Sequence, residues 1–279
     1  MQNRFFLFFF TALFICISAQ PTQSVFLKQD LLFRPSVTLK DYGLKGKVKK
    51  VELVTFYTDS ALKKSYQTLY FSDTGVLIQN SFYSENEKAN ATTFSYHYRD
   101  GRLNSITTAT GTGKQIFSYD SSGRLIRKDS YGKYEEDKHE VDETESYHYN
   151  SQDYIIKSAK TNLITECKYN NNHQIREIRS YYADKPSEVS VTEYQFKTLA
   201  EKPYTVVTKN NGKINETENL QYDNRENMIE SVTIGSDSTK NTSTHRIAYD
   251  RKGNIISETV YIKGKEFSTT TKEIEYGSL

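Results

Sequence analysis

The chain has 279 residues, with 37 Lys and Arg against 35 Asp and Glu and a formal net charge of +2. Near-neutral charge provides no broad field for nucleic acid or an anionic membrane surface, so neither is expected as a partner. Two cysteines exclude a disulfide-stapled scaffold, and 22 Tyr, 15 Phe, no Trp and only four Pro favour strands over helices.

The first twenty residues, MQNRFFLFFFTALFICISAQ, place Arg4 before an apolar run from Phe5 to Ile17 and a small residue, Ala19, at a cleavage position. This is the pattern of a secretory signal peptide, too short for the ~20 apolar residues of a membrane-spanning helix. Cleavage after Ala19 is expected. Cys16 follows Ile15 rather than a small residue, which argues against lipidation of that cysteine. Loss of Arg4 leaves 36 basic against 35 acidic side chains, and Cys167 becomes the single thiol of an exported protein. Stability must then come from packing and strand pairing.

The segment 20–41 precedes a recurring frame: an aromatic residue, three residues, usually Gly, one residue, then an aliphatic residue. It reads YGLKGKV from Tyr42, FSDTGVL from Phe71, YDSSGRL from Tyr119 and YDRKGNI from Tyr249. Weaker copies begin at Tyr98, Tyr149, Tyr169, Phe196 and Tyr222, and Tyr276 opens a frame that the sequence cuts short. Successive starts lie 29, 27, 21, 30, 20, 27, 26, 27 and 27 residues apart, the mark of a repeat architecture. The offsets fit a hairpin turn followed by a bulge. Asp120, Asp223, Asp250, Asn150, Asn170 and Ser72 stand where a side chain bonds backbone two residues on. Gly46, Gly75, Gly123 and Gly253 stand where φ must be positive, with Gly101 in the shorter Tyr98 copy. Asp153, His173 and Glu226 replace that glycine in other copies, so strained or differently shaped turns are expected there.

A second set of breaks lies midway between the anchors, at residues 57, 84, 110, 183, 209, 235 and 263. The chain therefore reads as an antiparallel meander with two strands per repeat. Nine intervals give about eighteen strands, beyond the ~10 at which open twisted sheets begin to curl. The expected fold is all-β: an antiparallel β-hairpin repeat array, about nine repeats of 20–30 residues, forming a long curled or spiral meander sheet over residues 42–279. Stretches such as SYGKYEEDKHEVDETESYHY offer no lipid-facing apolar band on either face, so the chain is not expected to span a membrane.

The frames YDSSGRLI and YDRKGNII resemble the YD repeats of the bacterial RHS family, and the similarity covers residues 42–279. The resemblance implies spirals of β-hairpins, and it associates the chain with carbohydrate binding and cell-surface contact. The large members enclose a C-terminal toxin. Here the repeats run to Leu279, so toxin delivery is not expected to carry over. The short repeat-only form, with LKGKVKKVEL opening the array, looks like exported proteins of Bacteroidetes-type bacteria, where DSA at 59 and DST at 237 would match an O-glycosylation motif.

No motif identifies a reaction. His97 and His148 precede anchor tyrosines in YHY triplets, on the opposite strand face from the rings, and no metal-ligand spacing accompanies them. His139 and His245 read as surface residues. TGTGKQ at 110 lacks the first glycine and the hydroxyl of a phosphate loop. The acidic run Glu135, Glu136, Asp137, Glu140, Asp142, Glu143 and Glu145 lacks the alternation and glycine of a calcium loop. No catalytic residue, metal or cofactor is expected. The anchor tyrosines read as the spine of the array. Tyr66, Tyr83, Tyr131, Tyr181 and Tyr261, off the anchors, are the candidate ligand-binding residues. The expected function is non-enzymatic: an exported protein of the periplasm, cell surface or medium that binds or scaffolds an envelope protein or polysaccharide. The alternative is a glycan-acting enzyme with paired carboxylates about 5 to 9 Å apart across a groove.

Overall fold

A computed structural model describes residues 36–58, 63–85, 91–109, 113–132, 141–197 and 202–277. The signal peptide, Cys16, the DSA triplet at 59, His139 and Glu135, Glu136, Asp137 and Glu140 lie outside these residues. A 3-10 helix at Leu39–Tyr42 precedes the strands. The first six strands are β1 (Val48–Tyr57), β2 (Lys64–Phe71), β3 (Leu77–Ser84), β4 (Thr92–Arg99), β5 (Arg102–Thr108) and β6 (Lys114–Tyr119). The next six are β7 (Leu125–Tyr131), β8 (Glu143–Tyr149), β9 (Ile155–Lys160), β10 (Leu163–Tyr169), β11 (Ile175–Tyr182) and β12 (Lys185–Phe196). The last six are β13 (Pro203–Asn210), β14 (Lys213–Tyr222), β15 (Met228–Gly235), β16 (Lys240–Tyr249), β17 (Ile255–Ile262) and β18 (Lys265–Tyr276).

All consecutive strands pair antiparallel in one 18-stranded sheet, and β18 pairs back onto β1 from Val48↔Tyr276 to Tyr57↔Ser268. The sheet is a closed barrel. This corrects the open, curled or spiral meander expected from the sequence. The physical cause lies in the turns. Each anchor pairs with the aliphatic residue that ends its turn, as in Phe71↔Leu77, Tyr119↔Leu125 and Tyr249↔Ile255, and the register slips by one residue beside each pair. A bulge bends its strand and adds right-handed twist. One such bend in every hairpin turns the sheet back on itself, and closure removes both edges.

The ninth turn is assembled from two distant stretches of chain. Tyr276 pairs with Val48, with the same register slip, and Gly46 adopts φ +86 where the turn glycine belongs. Tyr276 is therefore a complete anchor. Tyr42, expected to be the first anchor, instead sits in the 3-10 helix with its ring edge-on to Phe71 at 5.7 Å. The weaker Phe196 copy pairs with Pro203 as an anchor does, with the register slip beside it.

Alternation along the strands sends the anchors and their aliphatic partners to one face. That face is the more buried and is the concave, inner wall: Leu77 is 0 % exposed and Val51 1 %. The other face mixes charged side chains, Arg127 and Lys168 at 52 % and 60 % exposed, with exposed apolar ones such as Phe56, Tyr70 and Ile234. The largest apolar cluster lies on the inner wall of β1 to β5, where Val37, Leu39, Tyr42 and Leu44 pack against it. The Leu39 N–H donates to the Gly75 carbonyl and the Leu77 N–H to that of Val37, fixing this segment beside the turn-bearing rim.

Candidate functional site

The turns themselves are consumed by structure. Asp120, Asn150, Asn170, Asp223 and Asp250 each accept the backbone N–H two residues on, at 2.8–3.0 Å. Asp153, His173 and Glu226 take up φ of +65, +62 and +63, so the turn keeps its shape without glycine. The anchor hydroxyls reach back one repeat. Tyr98 donates to the Leu77 carbonyl, Tyr119 to Leu103, Tyr149 to Leu125, Tyr169 to Ile155 and Tyr222 to Pro203, at 2.7–3.0 Å. Tyr249 and Tyr276 donate instead to the carboxylates of Asp223 and Asp250. A cation of the preceding turn covers five of these rings: Arg102 over Tyr119, Arg124 over Tyr149, Lys202 over Tyr222, Arg225 over Tyr249 and Lys252 over Tyr276. Such contacts are worth about 0.5–2 kcal/mol each. Burial pushes the Tyr119 and Tyr149 hydroxyls up to about 12, so these rings stay neutral donors. A Cβ at Gly123 would lie 2.1 Å from Arg102 Nη2, so a side chain there would require that guanidinium to move. The anchors form the spine of the ring, each half-buried tyrosine tied by its hydroxyl to the preceding repeat.

The off-anchor tyrosines all lie half-buried on strands, on the face opposite the anchors. The structure brings together two of the five. Tyr66 on β2 pairs with Tyr83 on β3, and the rings stack with centroids 4.8 Å apart and planes 13° apart. Beside them on the outer wall stand Tyr70 and Phe56, 36 % and 42 % exposed, with Lys50 over the first ring and Lys64 over the second. The remaining three are dispersed. Tyr131 stands opposite Lys114. Tyr181 donates to Glu166 Oε1 at 3.0 Å, and that bond, with burial, raises its pKa. Tyr261 lies beneath Arg246.

A polar group not anticipated from the sequence lies on the inner wall of β16 to β18. His245, expected at the surface, is buried: its Nδ1 is 2.9 Å from Glu258 Oε1 and its Nε2 is 3.1 Å from Ser243 Oγ. The His245 and Glu258 side chains are 1 % and 2 % exposed. Lys272 on β18 is also buried, and desolvation pulls its pKa down to about 8 against the opposing pull of Glu258. Glu218 on β14 is pushed up by burial, with Ser231 and His245 acting the other way. The missed signal was alternation, since His245 and Lys272 each stand four residues before an anchor and so share its face.

The serine, histidine and carboxylate follow the connectivity of a nucleophile relay, but the setting is unsuited to acyl transfer. Ser243 pairs with Ser231 on one side and Ile262 on the other, so neighbouring amides are committed to the ladder and do not point at a developing oxyanion. Glu216, two residues from Glu218 on the same strand face, adds its charge to the upward shift there, while other inner acids are engaged by bases. Lys128 Nζ meets Glu145 at 2.5 Å, Lys160 meets Glu143 at 3.0 Å, and Glu258 meets His245. Among the described residues no cluster of three His, Cys, Asp or Glu is placed to hold a metal. His97 lies exposed on the outer wall, 2.9 Å from Thr107 Oγ1.

No family model and no curated protein matches the chain. Solved structures with some likeness include a porin-like protein from Bacteroides uniformis, 13% identical, with a TM-score of 0.44 over 82% of this chain and 98% of that one. A porin-like protein from Bacteroides vulgatus is 12% identical, with a TM-score of 0.37 over 84% of this chain and 100% of that one. The Photorhabdus luminescens Tc holotoxin pore, carrying a TccC3 mutation, is 17% identical, with a TM-score of 0.39 over 83% of this chain and 12% of that one.

Proposed function

We propose that the chain is a non-enzymatic, exported cell-envelope or secreted protein that binds an envelope polysaccharide on its outer wall. The observation that carries this reading is the cluster of four aromatic rings, Phe56, Tyr66, Tyr70 and Tyr83, on adjoining strands of the outer wall. Rings fixed at set spacing on a sheet offer apolar surface that suits contact with sugar rings, and the stacked Tyr66 and Tyr83 present their outer faces and edges to it. Closure of the sheet favours a polysaccharide over a protein partner, because capture of a peptide by strand addition needs an unpaired edge and β1 already pairs on both sides. The signal-peptide pattern of residues 1–19 supports export, and the turn frame supports kinship with YD repeats.

The outer wall also bears on where the barrel sits. Arg127, Lys168, Glu177, Arg179 and Arg246 lie on it within strands. Charges at such positions disfavour a lipid-facing band, so the reading places the barrel in water rather than across a bilayer. The test is retention of polysaccharide fractions from the source envelope on immobilised protein. Tyr66→Ala with Tyr83→Ala is expected to weaken retention about tenfold, for stacking contacts of about 0.5–1.5 kcal/mol each. Unchanged retention in that variant, or capture of a protein and no polysaccharide, would overturn the reading.

A further inference from the structure

We propose that the inner wall where β1 meets β18 is a binding site for a small carboxylate monoanion, built from Lys272 and the hydroxyl pair Thr55 and Thr270. This interior site is independent of the outer-wall aromatics. Lys272 is 7 % exposed, and among the described residues its ammonium has neither a hydrogen bond nor an ion pair within 4 Å. A buried charge without a partner is costly, and proteins ordinarily pair it or neutralise it. The acid whose charge acts on it, Glu258, stands opposite Thr270 on the adjoining strand and already accepts from His245.

The second component is a hydroxyl proton with no acceptor. Thr55 and Thr270 pair across the seam, 8 % and 6 % exposed, with their Oγ1 atoms 2.9 Å apart. Whichever hydroxyl donates, the other is the acceptor and keeps its own proton. Among the described residues neither hydroxyl has a further partner. Thr270 stands two residues before Lys272 on the same face, so the free proton and the ammonium address one stretch of wall. One cation and one neutral donor suit a single negative charge. Glu258, opposite Thr270 on β17, repels any anion there and repels a dianion such as phosphate roughly twice as strongly as a monoanion, which favours the single charge.

The probe is sodium acetate, titrated into the full chain at pH 7 against sodium chloride at equal ionic strength, with thermal unfolding as the readout. Acetate several times above its dissociation constant is expected to raise the wild-type Tm by about 2–4 °C, because a ligand that binds only the folded state stabilises it. Lys272→Met should abolish that rise. Thr270→Val, which keeps the ammonium and removes one hydroxyl, should reduce it, and this variant carries the comparison if Lys272→Met does not fold. The wild-type rise should fade above pH 8 as the lysine loses its proton. An acetate response equal to that of chloride, or one of the same size in the variants, overturns the site.

Discussion

Tyr276 and Val48 face each other in the same register as Tyr249 and Ile255, so the ring is held shut by a repeat whose halves come from its first and last strands. The seam repeats the local chemistry of the other turns. Lys252 lies over the Tyr276 ring, and Asn254 accepts from the Lys45 N–H at 2.6 Å.

Removal of residues 265–277 takes away β18 and leaves β1 and β17 each with an unpaired side. Exposed edges template intermolecular pairing. The shortened chain is expected to self-associate in a concentration-dependent way, measured by light scattering. A monodisperse monomer would contradict closure through β18.

The hydroxyl of Tyr119 donates to the Leu103 carbonyl at 2.8 Å. Tyr119→Phe keeps the ring and its contact with Arg102 while deleting that bond. The expected loss is about 0.5–1.5 kcal/mol by urea unfolding. No loss would mean that the hydroxyls are not part of the spine.

Glu226 holds φ +63 and its side chain is exposed. An L-residue in this region carries a penalty of about 1–2 kcal/mol that glycine avoids, partly offset by the ~0.5–1 kcal/mol of extra chain entropy glycine loses on folding. Glu226→Gly should therefore stabilise by up to about 1 kcal/mol. His173→Gly should gain less, since the His173 ring stacks on Tyr154 at 5.1 Å.

Lys272 is held at about 8, below the ordinary 10.5. A depressed lysine pKa contributes stability that is full above 10.5 and is lost as pH falls through 8. Across that window the wild type should lose about 3 kcal/mol relative to Lys272→Met. The stability of Lys272→Met minus that of the wild type is expected to be more positive at pH 7 than at pH 10, by urea midpoints at each pH. A constant gap would show that the ammonium is not desolvated.

The turn chemistry was legible because it is local. An Asp at 120, 223 or 250 followed three residues later by Gly or a substitute fixes an Asx turn, a positive φ and a bulge within seven residues, and these give the hairpins and the strand count. Closure was not legible. Its decisive pair, Tyr276 with Val48, lies across almost the whole sequence, and the nearby Tyr42 presented a spurious frame for the same Gly46 and Val48. The candidate site was legible only in part. Tyr66 and Tyr83 come together because the Phe71 turn sets their register, whereas Tyr131, Tyr181 and Tyr261 belong to hairpins elsewhere on the ring. His245 and Lys272 escaped notice because a polar residue on a strand reads as outward-facing unless its parity with the anchor is followed.

The split ninth repeat changes what duplication can do to this protein. An open array gains a repeat at one end and leaves its other interfaces untouched, so its length drifts freely. In a ring, one more hairpin alters the strand number, and with it the tilt and stagger that every strand must share. A duplicated hairpin would have to be accommodated at eighteen interfaces at once. The number of repeats is thus a property of the whole circle, and individual copies are left to vary in sequence while their number stays fixed.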